Sequence, residues 1–394
     1  MNRPTYFDYM ATTPVDPAVM EVMQHYLTLQ GQFGNPASNT HYFGEQAALA
    51  VKSARQQVAE LIGAKPREII WTSGATEANN LAIIGAARFH VRSGCHLITV
   101  KTEHKSVLDS AAYLAQSGFE VTYLDVDRHG QIDQEQLLSA IRPDTILISV
   151  MHVNNETGVI QDIESIGTLA HQHGVLFHVD AAQSVGKCAI DLSSLPVDMM
   201  SFSAHKLYGP KGIGALYVRQ QPRVRIEPMI YGGGHEWGLR SGTLPTQQIA
   251  GMGEAFALAK QRYSLDCQYI RQLEALFVEG ISSCSGLRIL AEGAQKYPGC
   301  VNLFCADCDA ETLLAALPQF ALSTGSACNA VKSEPSHVLL AMGLSHDEAE
   351  RCVRISFGRY TTVEQVMALI SALQQVILSQ HQIDGATPHG EIDE

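Results

Sequence analysis

The sequence has few charged residues, and positive charge is scarcer than negative charge. Only 17% of the 394 residues are Asp, Glu, Lys or Arg, and the formal net charge is −13. Because nucleic-acid binding needs a basic surface that neutralises phosphates, this balance argues against direct nucleic-acid binding. Hydrophobic residues make up 46% of the chain, which is enough for the buried core of a globular protein. We therefore expect small molecules and proteins as partners.

The sequence also lacks long apolar runs. The first residues, MNRPTYFDYMATTPVDP, do not contain the apolar segment of a signal peptide. No stretch approaches the roughly 18 apolar residues that cross a membrane. We therefore expect no membrane association and a cytoplasmic location.

A framework of paired cysteines is missing too. The nine cysteines are odd in number and scattered along the chain, unlike the spacing of a secreted disulfide-rich protein. Cys305 and Cys308, in CADC, could bind zinc or carry electrons, but a zinc site usually needs a second pair. The sequence therefore predicts reduced thiols and no metal site, and it leaves room for one reactive cysteine.

Short apolar segments alternate with helical patterns over most of the chain, which is typical of a mainly parallel sheet covered by helices. The predicted strands are EIIWTSG, HLITV, EVTYLDV, TILISVMHV, LFHVDAAQ, MMSFSAH and GALYVR. Between them lie helices such as EQAALAVKSARQQVAELIG, in which Gly63 supplies the C-terminal stop. The sequence therefore predicts an α/β large domain, residues 16–263, with a seven-stranded sheet between helices.

The pattern changes after residue 263 to the strands GLRIL, CVNLF and RCVRISFG with intervening helices. This arrangement predicts a smaller α+β domain, formed by residues 1–15 and 264–394. The last residues, QIDGATPHGEIDE, are polar and contain Gly and Pro, so a flexible tail is expected from about residue 383.

Polar residues follow three of the predicted strands at the point where each strand ends. They are Gly74, Ala75 and Thr76 in WTSGATEANN, Asp180 and Gln183 in HVDAAQS, and Ser203, His205 and Lys206 in SFSAHK. Functional groups gather at the carboxyl ends of strands in α/β sheets. Pyridoxal phosphate needs a lysine for its aldehyde, an acid for its ring nitrogen and a helix start for its phosphate. The order of these residues therefore predicts a pyridoxal phosphate site in which Lys206 holds the cofactor.

Each of these signals has an ordinary alternative. A lysine is usually a solvated surface group, Asp180 could cap a helix, and TSGATE alone is a common cap. GPKGIG resembles a nucleotide-binding loop but lacks the GKS or GKT ending of that motif. We interpret it as a turn beside Lys206, and the ordered spacing of the motifs favours the cofactor site.

Together, DYMATTPVDP, GNPASNTHYFG, TSGATEANN, DAAQSVG and SFSAHKLYGPKGIGALYVR resemble the cysteine desulfurases of the NifS/IscS group, in the class V aminotransferase superfamily. The resemblance extends from about Tyr6 to about Thr362. It implies the fold type I architecture of pyridoxal phosphate enzymes and a homodimer. It also implies conversion of L-cysteine to L-alanine, with the sulfur kept as a persulfide for a protein acceptor.

The resemblance also implies which residues hold the cofactor. Lys206 would form the covalent link, Asp180 would pair with the ring nitrogen, and Gln183 would bond the ring hydroxyl. His104, in TEHKSVL, would stack on the ring and transfer protons. The phosphate would be bound by Ala75, Thr76, Ser203, His205 and, from the neighbouring subunit, Thr243 in LRSGTLP. Asn155 in VNNETG would lie near both cofactor and substrate.

Two further residues are implied to act on the substrate. Arg354, in RCVRISFG, would bind its carboxylate, because a guanidinium grips a carboxylate through two parallel hydrogen bonds. An arginine in a strand could equally form an ion pair. Cys328, in LSTGSACNAVKSEPSHVL, would carry the persulfide, and its glycine-containing surroundings predict a mobile loop. The attacking form would be the thiolate.

The sequence departs from the housekeeping members of that family in two places. Asn329, Val331 and Lys332 follow the cysteine where those members have Thr-Ser-Ala, and HQIDGATPHGEIDE replaces an apolar, Trp-containing end. The acceptor therefore stays open among iron–sulfur assembly, tRNA thiolation and DNA phosphorothioation. A selenocysteine lyase or another class V enzyme would share Lys206 and Asp180. An inactive regulatory partner would be expected to lack cofactor residues, and none is missing.

Overall fold

A computed structural model describes residues 3–324 and 335–384 of the chain. The chain divides into two compact units. The large unit comprises Ala11–Asn154 and Val159–Tyr263. The small unit comprises the described residues before Ala11 and after Tyr263, together with Asn155–Gly158.

The large unit begins at Ala11 rather than at residue 16. The reason lies in the hydrogen bonds of this segment. The backbone N–H of Thr13 donates to the carbonyl of His205 at 2.9 Å, and that of Asp16 donates to the carbonyl of Tyr208 at 3.0 Å. These hydrogen bonds tie the residues that follow Met10 to the large unit, ahead of the expected start at residue 16.

Residues 155–158 also depart from the expected division, because they belong to the small unit. The Asn155 carbonyl accepts a hydrogen bond from Arg354 Nη1 at 2.8 Å, and the Gly158 carbonyl accepts one from the Tyr297 N–H at 2.8 Å. The tail expected from about residue 383 falls, from residue 385 onward, outside the described residues.

The helices and strands are numbered here in chain order. They are β1 (Thr5–Tyr6), α1 (Pro17–Gln24), α2 (Tyr42–Leu61), β2 (Ile69–Thr72), α3 (Ala75–His90), β3 (His96–Val100), α4 (Lys105–Gln116), β4 (Glu120–Leu124), α5 (Gln134–Ala140), β5 (Thr145–Met151), α6 (Ile163–Gln172), β6 (Leu176–Asp180), β7 (Met199–Ser203), β8 (Gly214–Val218), α7 (Thr246–Ile281), β9 (Leu287–Ile289), β10 (Cys300–Cys305), α8 (Ala310–Ala316), β11 (Phe320–Ala321), α9 (His337–Ala341), α10 (His346–Glu350), β12 (Cys352–Ser356) and α11 (Val363–Asp384).

The described residues of the large unit form a seven-stranded sheet in the order β2-β8-β7-β6-β5-β3-β4. All neighbouring strands are parallel except for β8, which is antiparallel to both β2 and β7. The predicted sheet is therefore confirmed. Its strands are rich in Ile, Val and Leu because a mainly parallel sheet is buried on both faces.

Alternate side chains of these strands enter two separate cores, as the period of two along a strand requires. Ile69 and Trp71 belong to the core that contains residues of α2, α6 and the first part of α7. Ile70, between them, belongs to the core that contains residues of α3 and α4. Helices therefore cover both faces, and α2 ends before Gly63, whose φ of 67° suits glycine.

The small unit contains a second sheet. Among its described residues, β12, β10 and β9 form an antiparallel sheet in that order, at the three strands predicted from the sequence. The core beneath them includes Phe277 of α7, Val301 of β10, Val353 of β12 and Leu369 of α11. Across both units, no described helix combines the length and apolar character that a membrane crossing needs.

Candidate active site

Several strands of the large unit end at one edge of its sheet, because β2, β3, β5, β6 and β7 share one direction. Thr72, Asp180 and Ser203 are the last residues of β2, β6 and β7. Gly214, the first residue of β8, pairs with both Thr72 and Ser203. The predicted site residues on these strands are therefore neighbours across the sheet.

Gly214 lets the start of α3 approach β7 closely. A Cβ atom at Gly214 would lie 2.6 Å from the Phe202 carbonyl oxygen and 2.7 Å from the Gly74 Cα, so no larger residue fits. A Cβ atom on Gly74 would be 3.9 Å from Ser203 Oγ. The structure thus brings together Ser203 and the helix start at which Ala75 and Thr76 were predicted to bind phosphate.

Asp180 is an ionisable group at this edge with only 3% of its surface exposed. Its Oδ1 accepts a hydrogen bond from the Ala182 N–H at 2.9 Å. Its Oδ2 accepts one from Asn79 Nδ2 at 2.7 Å. A buried carboxylate needs such donors, and these two fix its position at the end of β6.

Asn79 also connects Asp180 to His104 through Ser106. The second hydrogen of Asn79 Nδ2 is donated to Ser106 Oγ at 2.8 Å, and the Ser106 hydroxyl lies 2.8 Å from His104 Nδ1. The Ser106 backbone N–H also donates to this Nδ1, at 3.1 Å. Because Nδ1 accepts, neutral His104 carries its proton on Nε2.

Sequence reasoning missed Asn79 and Ser106. Asn79 lies in TSGATEANN and Ser106 in TEHKSVL. The sequence did contain a sign that Asn79 is important, because it is a polar residue among the buried Ala78, Leu81 and Ala82 of α3. A buried amide of this kind requires partners. Nothing local in the sequence, however, indicates that its partner is Asp180, which is 101 residues away.

Glu103, directly before His104, was missed as well. It is 1% exposed, and its Oε1 accepts a hydrogen bond from the Met151 N–H at 2.6 Å. Burial, with a smaller contribution from the charge of Asp180, raises the pKa of Glu103 well above its usual range. This environment favours the protonated acid.

Lys206 lies in the short turn after β7, where it is half-buried. Its Nζ donates to the Ala11 carbonyl at 2.8 Å. Thr13 stabilises the same turn, because its hydroxyl donates to the His205 carbonyl at 3.0 Å and accepts from the Tyr208 N–H at 2.7 Å. Residues 11–13, the ATT of DYMATTPVDP, therefore position Lys206. The sequence analysis did not predict this role.

His205 lies in an electropositive part of the large unit. Burial lowers its pKa to about 4, and the positive charges of Lys206, Lys211 and Lys187 lower it further. Its Nδ1 is 3.1 Å from Thr12 Oγ1. A neutral imidazole surrounded by ammonium groups suits the binding of an anion such as a phosphate.

The remaining predicted residues of the large unit lie in different environments. Gln183 is buried, and its Oε1 accepts from Lys187 Nζ at 3.2 Å. Thr243 is exposed, on the segment that precedes α7. Its action in the site of a second subunit stays a prediction.

In the small unit, the structure shows the ion pair that the sequence left open for Arg354. Arg354 is 3% exposed. Its Nη2 donates to Asp8 Oδ1 at 2.7 Å and to Ser323 Oγ at 2.9 Å, and its Nη1 donates to the Asn155 carbonyl at 2.8 Å. Arg354 Nε and Asn155 Oδ1 are buried without a hydrogen-bond partner among the residues described.

Cys328 lies in the segment 325–334, outside the described residues, so its persulfide role and its predicted loop stay predictions. The other eight cysteines form no disulfide with one another in the part of the chain that the structure describes. Within residues 3–324 and 335–384, no group of three or more His, Cys, Asp or Glu side chains is placed to hold a metal ion.

The residues of the large unit fit pyridoxal phosphate. Asp180 offers a buried carboxylate for a protonated ring nitrogen, and its supporting hydrogen bonds come from Asn79 and Ala182. Lys206 supplies the amine, and the environment of His205 suits the phosphate. These are the groups that this cofactor requires.

Comparison with known proteins identifies the class. The family model for aminotransferase class V matches residues 5–369, and the enzymes of this class depend on pyridoxal phosphate. The chain is 35% identical to a solved structure described as a NifS-like protein, with a TM-score of 0.89, and the match covers 95% of this chain and 100% of that one. The chain therefore belongs to the aminotransferase class V family and has its fold.

Relatives with higher sequence identity show to which family within this class the chain belongs. The chain is 56% identical to the cysteine desulfurase IscS of Vesicomyosocius okutanii, over 93% of this chain and 91% of that protein. It is 41% identical to a solved structure of SspA in complex with cysteine, with a TM-score of 0.81, over 91% of this chain and 100% of that one. The chain therefore belongs to the cysteine desulfurase family, and the resemblance predicted from its sequence is confirmed.

Proposed function

We propose that this protein is a pyridoxal phosphate-dependent cysteine desulfurase that converts L-cysteine to L-alanine and carries the sulfur as a persulfide on Cys328. The observation that carries the proposal is the buried Asp180 carboxylate, held at 2.7 Å by Asn79, at the end of the strand next to the one that leads to Lys206. Membership of the cysteine desulfurase family supports the same chemistry.

Most of the residues proposed to hold the cofactor lie at or just after strand ends, or at a helix start. Lys206 would bind it covalently, Asp180 would keep its ring nitrogen protonated, and Gln183 would donate to its ring hydroxyl. Its phosphate would be bound by Ala75, Thr76, Ser203, His205 and, in a homodimer, by Thr243 of the second subunit. When bound, pyridoxal phosphate withdraws electrons from the substrate and makes its Cα–H and Cβ–S bonds easier to break.

Arg354 and Asn155 would bind the substrate. Two buried polar atoms support this role, because Arg354 Nε and Asn155 Oδ1 have no partner among the described residues. A substrate carboxylate could accept from the Nε–H, and a substrate ammonium or amine could donate to Oδ1. Asp8 would hold the guanidinium in one orientation through Nη2 while Nε stays available.

Two residues would move protons. Lys206 Nζ, once released from the cofactor, would take the proton from the substrate Cα. His104 would exchange a proton with the substrate thiol through Nε2, since its Nδ1 is occupied by Ser106. The hydrogen bond from Ser106 therefore fixes which imidazole nitrogen can act.

Cys328 would take the sulfur. Its thiolate would attack the substrate sulfur, so that an S–S bond forms as the Cβ–S bond breaks. The three-carbon fragment would take up a proton at Cβ and one at Cα and leave as alanine. The products, alanine and a Cys328 persulfide, contain all the atoms of L-cysteine and the Cys328 thiol.

The test uses the purified holoenzyme and two variants. With L-cysteine and a thiol reductant, we expect alanine and sulfide in equal amounts. Cys328→Ala should keep the visible absorbance of the bound cofactor and lose alanine formation, whereas Cys188→Ala, at a half-exposed cysteine, should keep both. Alanine formation by Cys328→Ala at the unaltered rate would contradict the assignment of Cys328.

Substrate and acceptor need separate measurements. Alanine from L-selenocysteine with none from L-cysteine would instead indicate a selenocysteine lyase. For the acceptor, sulfur-radiolabelled L-cysteine is added to host extract with the enzyme or with Cys328→Ala. We expect Cys328-dependent label in a protein, and the final labelled species, whether an iron–sulfur scaffold, tRNA or DNA, identifies the pathway.

A further inference from the structure

Cys305 and Cys308 form a pair of thiols that the proposed function does not use. Cys305 ends β10, and Cys308 precedes Asp309, whose side chain caps the start of α8. The two Sγ atoms are 3.5 Å apart. Both side chains are buried, with 0% of Cys305 and 8% of Cys308 exposed. Among the described residues, no third His, Cys, Asp or Glu side chain is placed to join them as a metal ligand.

The backbone keeps the two sulfur atoms facing each other. The Cys305 N–H donates to the Arg351 carbonyl at 3.0 Å, and the Ala306 N–H donates to the Gly286 carbonyl at 2.8 Å. The Ala306 carbonyl accepts from Arg351 Nη1 at 2.6 Å. Closing the gap to a sulfur–sulfur bond needs a movement of ~1.5 Å, which rotation of the two side chains can supply.

Cys308 also lines an open cavity of about 380 Å³. This volume is in the range that accommodates a small molecule. The lining of the cavity includes four acidic residues, Asp307, Asp309, Asp347 and Glu350, and one basic residue, Arg351, beside Cys308. Its charge is therefore negative on balance, which attracts cations and repels anions.

We propose that Cys305 and Cys308 are a dithiol–disulfide couple, oxidised through this cavity by a small disulfide, with a cationic disulfide preferred to an anionic one. Cys308 is the entry residue, because it lines the cavity and Cys305 does not. This couple is independent of the proposed desulfurase activity.

The exchange balances in two steps. The Cys308 thiolate attacks one sulfur of the small disulfide, whose S–S bond breaks and releases one small thiol. The Cys305 sulfur then attacks Cys308, which forms the protein disulfide and releases the second small thiol. The protein loses two electrons and two protons, and the small disulfide gains them as two thiols.

The environment of the thiols sets the character of this couple. Burial, the neighbouring Cys305 and the charges of Asp309 and Asp307 raise the pKa of Cys308 to about 12. Exchange is therefore slow at neutral pH, since the thiolate is the attacking form.

The experiment exposes the full-length holoenzyme to equal concentrations of three disulfides: cystamine, a cation; bis(2-hydroxyethyl) disulfide, which is neutral; and oxidised glutathione, an anion. Samples are quenched with acid, alkylated in denaturant and mapped by peptide mass spectrometry. We expect that neither Cys305 nor Cys308 is alkylated, because the two are joined in an internal disulfide. Cystamine should react on the order of tenfold faster than oxidised glutathione, with a smaller ratio at high salt.

Variants identify the order of attack. Cys305→Ser should trap the small thiol on Cys308, whereas Cys308→Ser should leave Cys305 unmodified. Cys300, buried in the same strand, should stay reduced throughout. The proposal is overturned if Cys305 and Cys308 remain alkylatable while the half-exposed Cys95 and Cys267 form mixed disulfides. It is also overturned if oxidised glutathione reacts fastest, because entry would then not use the acidic cavity.

Discussion

Asn79 and Asp180 are 101 residues apart in the sequence, and a hydrogen bond of 2.7 Å joins the Asn79 amide to the Asp180 carboxylate. The same amide nitrogen donates to Ser106, whose hydroxyl contacts His104. One side chain therefore orients both the acid proposed for the cofactor ring nitrogen and the histidine proposed to stack on the ring. We interpret Asn79 as a positioning residue.

Asn79→Ala should weaken cofactor binding and leave the fold intact. A hydrogen bond to a charged group contributes roughly 1.5–3 kcal/mol, so we expect the dissociation constant of pyridoxal phosphate to rise at least about tenfold. The measurement is a titration of the apoprotein that follows the visible absorbance of the bound cofactor. A shifted absorbance maximum should accompany the weaker binding, because Asp180 is less well oriented.

Asn79→Asp should be more harmful than Asn79→Ala. It places a second carboxylate beside Asp180, and two such groups in contact cannot both ionise. Gln56→Ala, which removes an exposed amide of α2, serves as the control and should bind the cofactor normally. Unaltered affinity and absorbance in both Asn79 variants would show that Asp180 does not need this donor.

Glu103→Gln tests the protonation of a buried acid next to the site. Because burial raises the pKa of Glu103 well above its usual range, the side chain should be neutral at physiological pH, and a neutral isostere should replace it. We expect activity within about threefold of the original protein, equivalent to less than ~1 kcal/mol. Asp180→Asn, the matched change at the residue proposed to keep the cofactor ring nitrogen protonated, should abolish turnover. A comparable loss in Glu103→Gln would mean that Glu103 is ionised.

The sequence predicted the sheet and the residues at its edge for a physical reason. The strands are short, apolar and bounded by turn residues, and Asp180, Ser203 and Lys206 follow them directly. Parallel strands bring such positions to one edge whatever their distance along the chain. The local sequence pattern was therefore sufficient to predict that these three residues lie at the same edge of the sheet.

The supporting contacts could not be predicted in this way. Lys206 donates to Ala11, and Arg354 donates to Asp8, across separations of 195 and 346 residues. Asn155–Gly158 joins the small unit through hydrogen bonds to Arg354 and Tyr297. Such pairings depend on how distant segments pack, and neither periodicity nor turn chemistry encodes them.

Arg354→Lys should raise the KM for L-cysteine more than it changes kcat. Lysine keeps the positive charge but loses the planar fork that contacts Asp8, Ser323 and the Asn155 carbonyl at once. We expect KM to rise about 10- to 100-fold, which corresponds to the loss of one or two charge-assisted hydrogen bonds. Initial rates over a range of L-cysteine concentrations measure both constants.

Arg359→Lys is the matched control for this change. Arg359 is also in the small unit, is 6% exposed at its side chain, and pairs with Asp266 at 2.8 Å. Its replacement should affect stability to a similar extent without raising KM. Equal KM values for the two lysine variants would refute a substrate role for Arg354 and leave the ion pair with Asp8 as its function.

His178 should make the protein less stable as the pH falls. It is fully buried in β6, between Ser149 Oγ at 2.8 Å and Ser201 Oγ at 2.9 Å. Burial lowers its pKa from 6.5 to about 3. Between these values the unfolded chain binds a proton that the folded protein does not, so the free energy of unfolding falls by about 1.4 kcal/mol per pH unit as the pH decreases.

Denaturant unfolding of the holoenzyme at about pH 7 and about pH 5 measures this effect. Other groups contribute to the total, so the informative quantity is the difference in slope between variants. His178→Gln removes the titrating group and should give a smaller loss of stability between the two pH values, even though it lowers stability at both. His173→Gln, at an exposed histidine, is the control for replacing a histidine by glutamine. If the slopes of His178→Gln and the original protein coincide, His178 binds its proton equally in both states, and its burial between two serines does not control the acid limit of the fold.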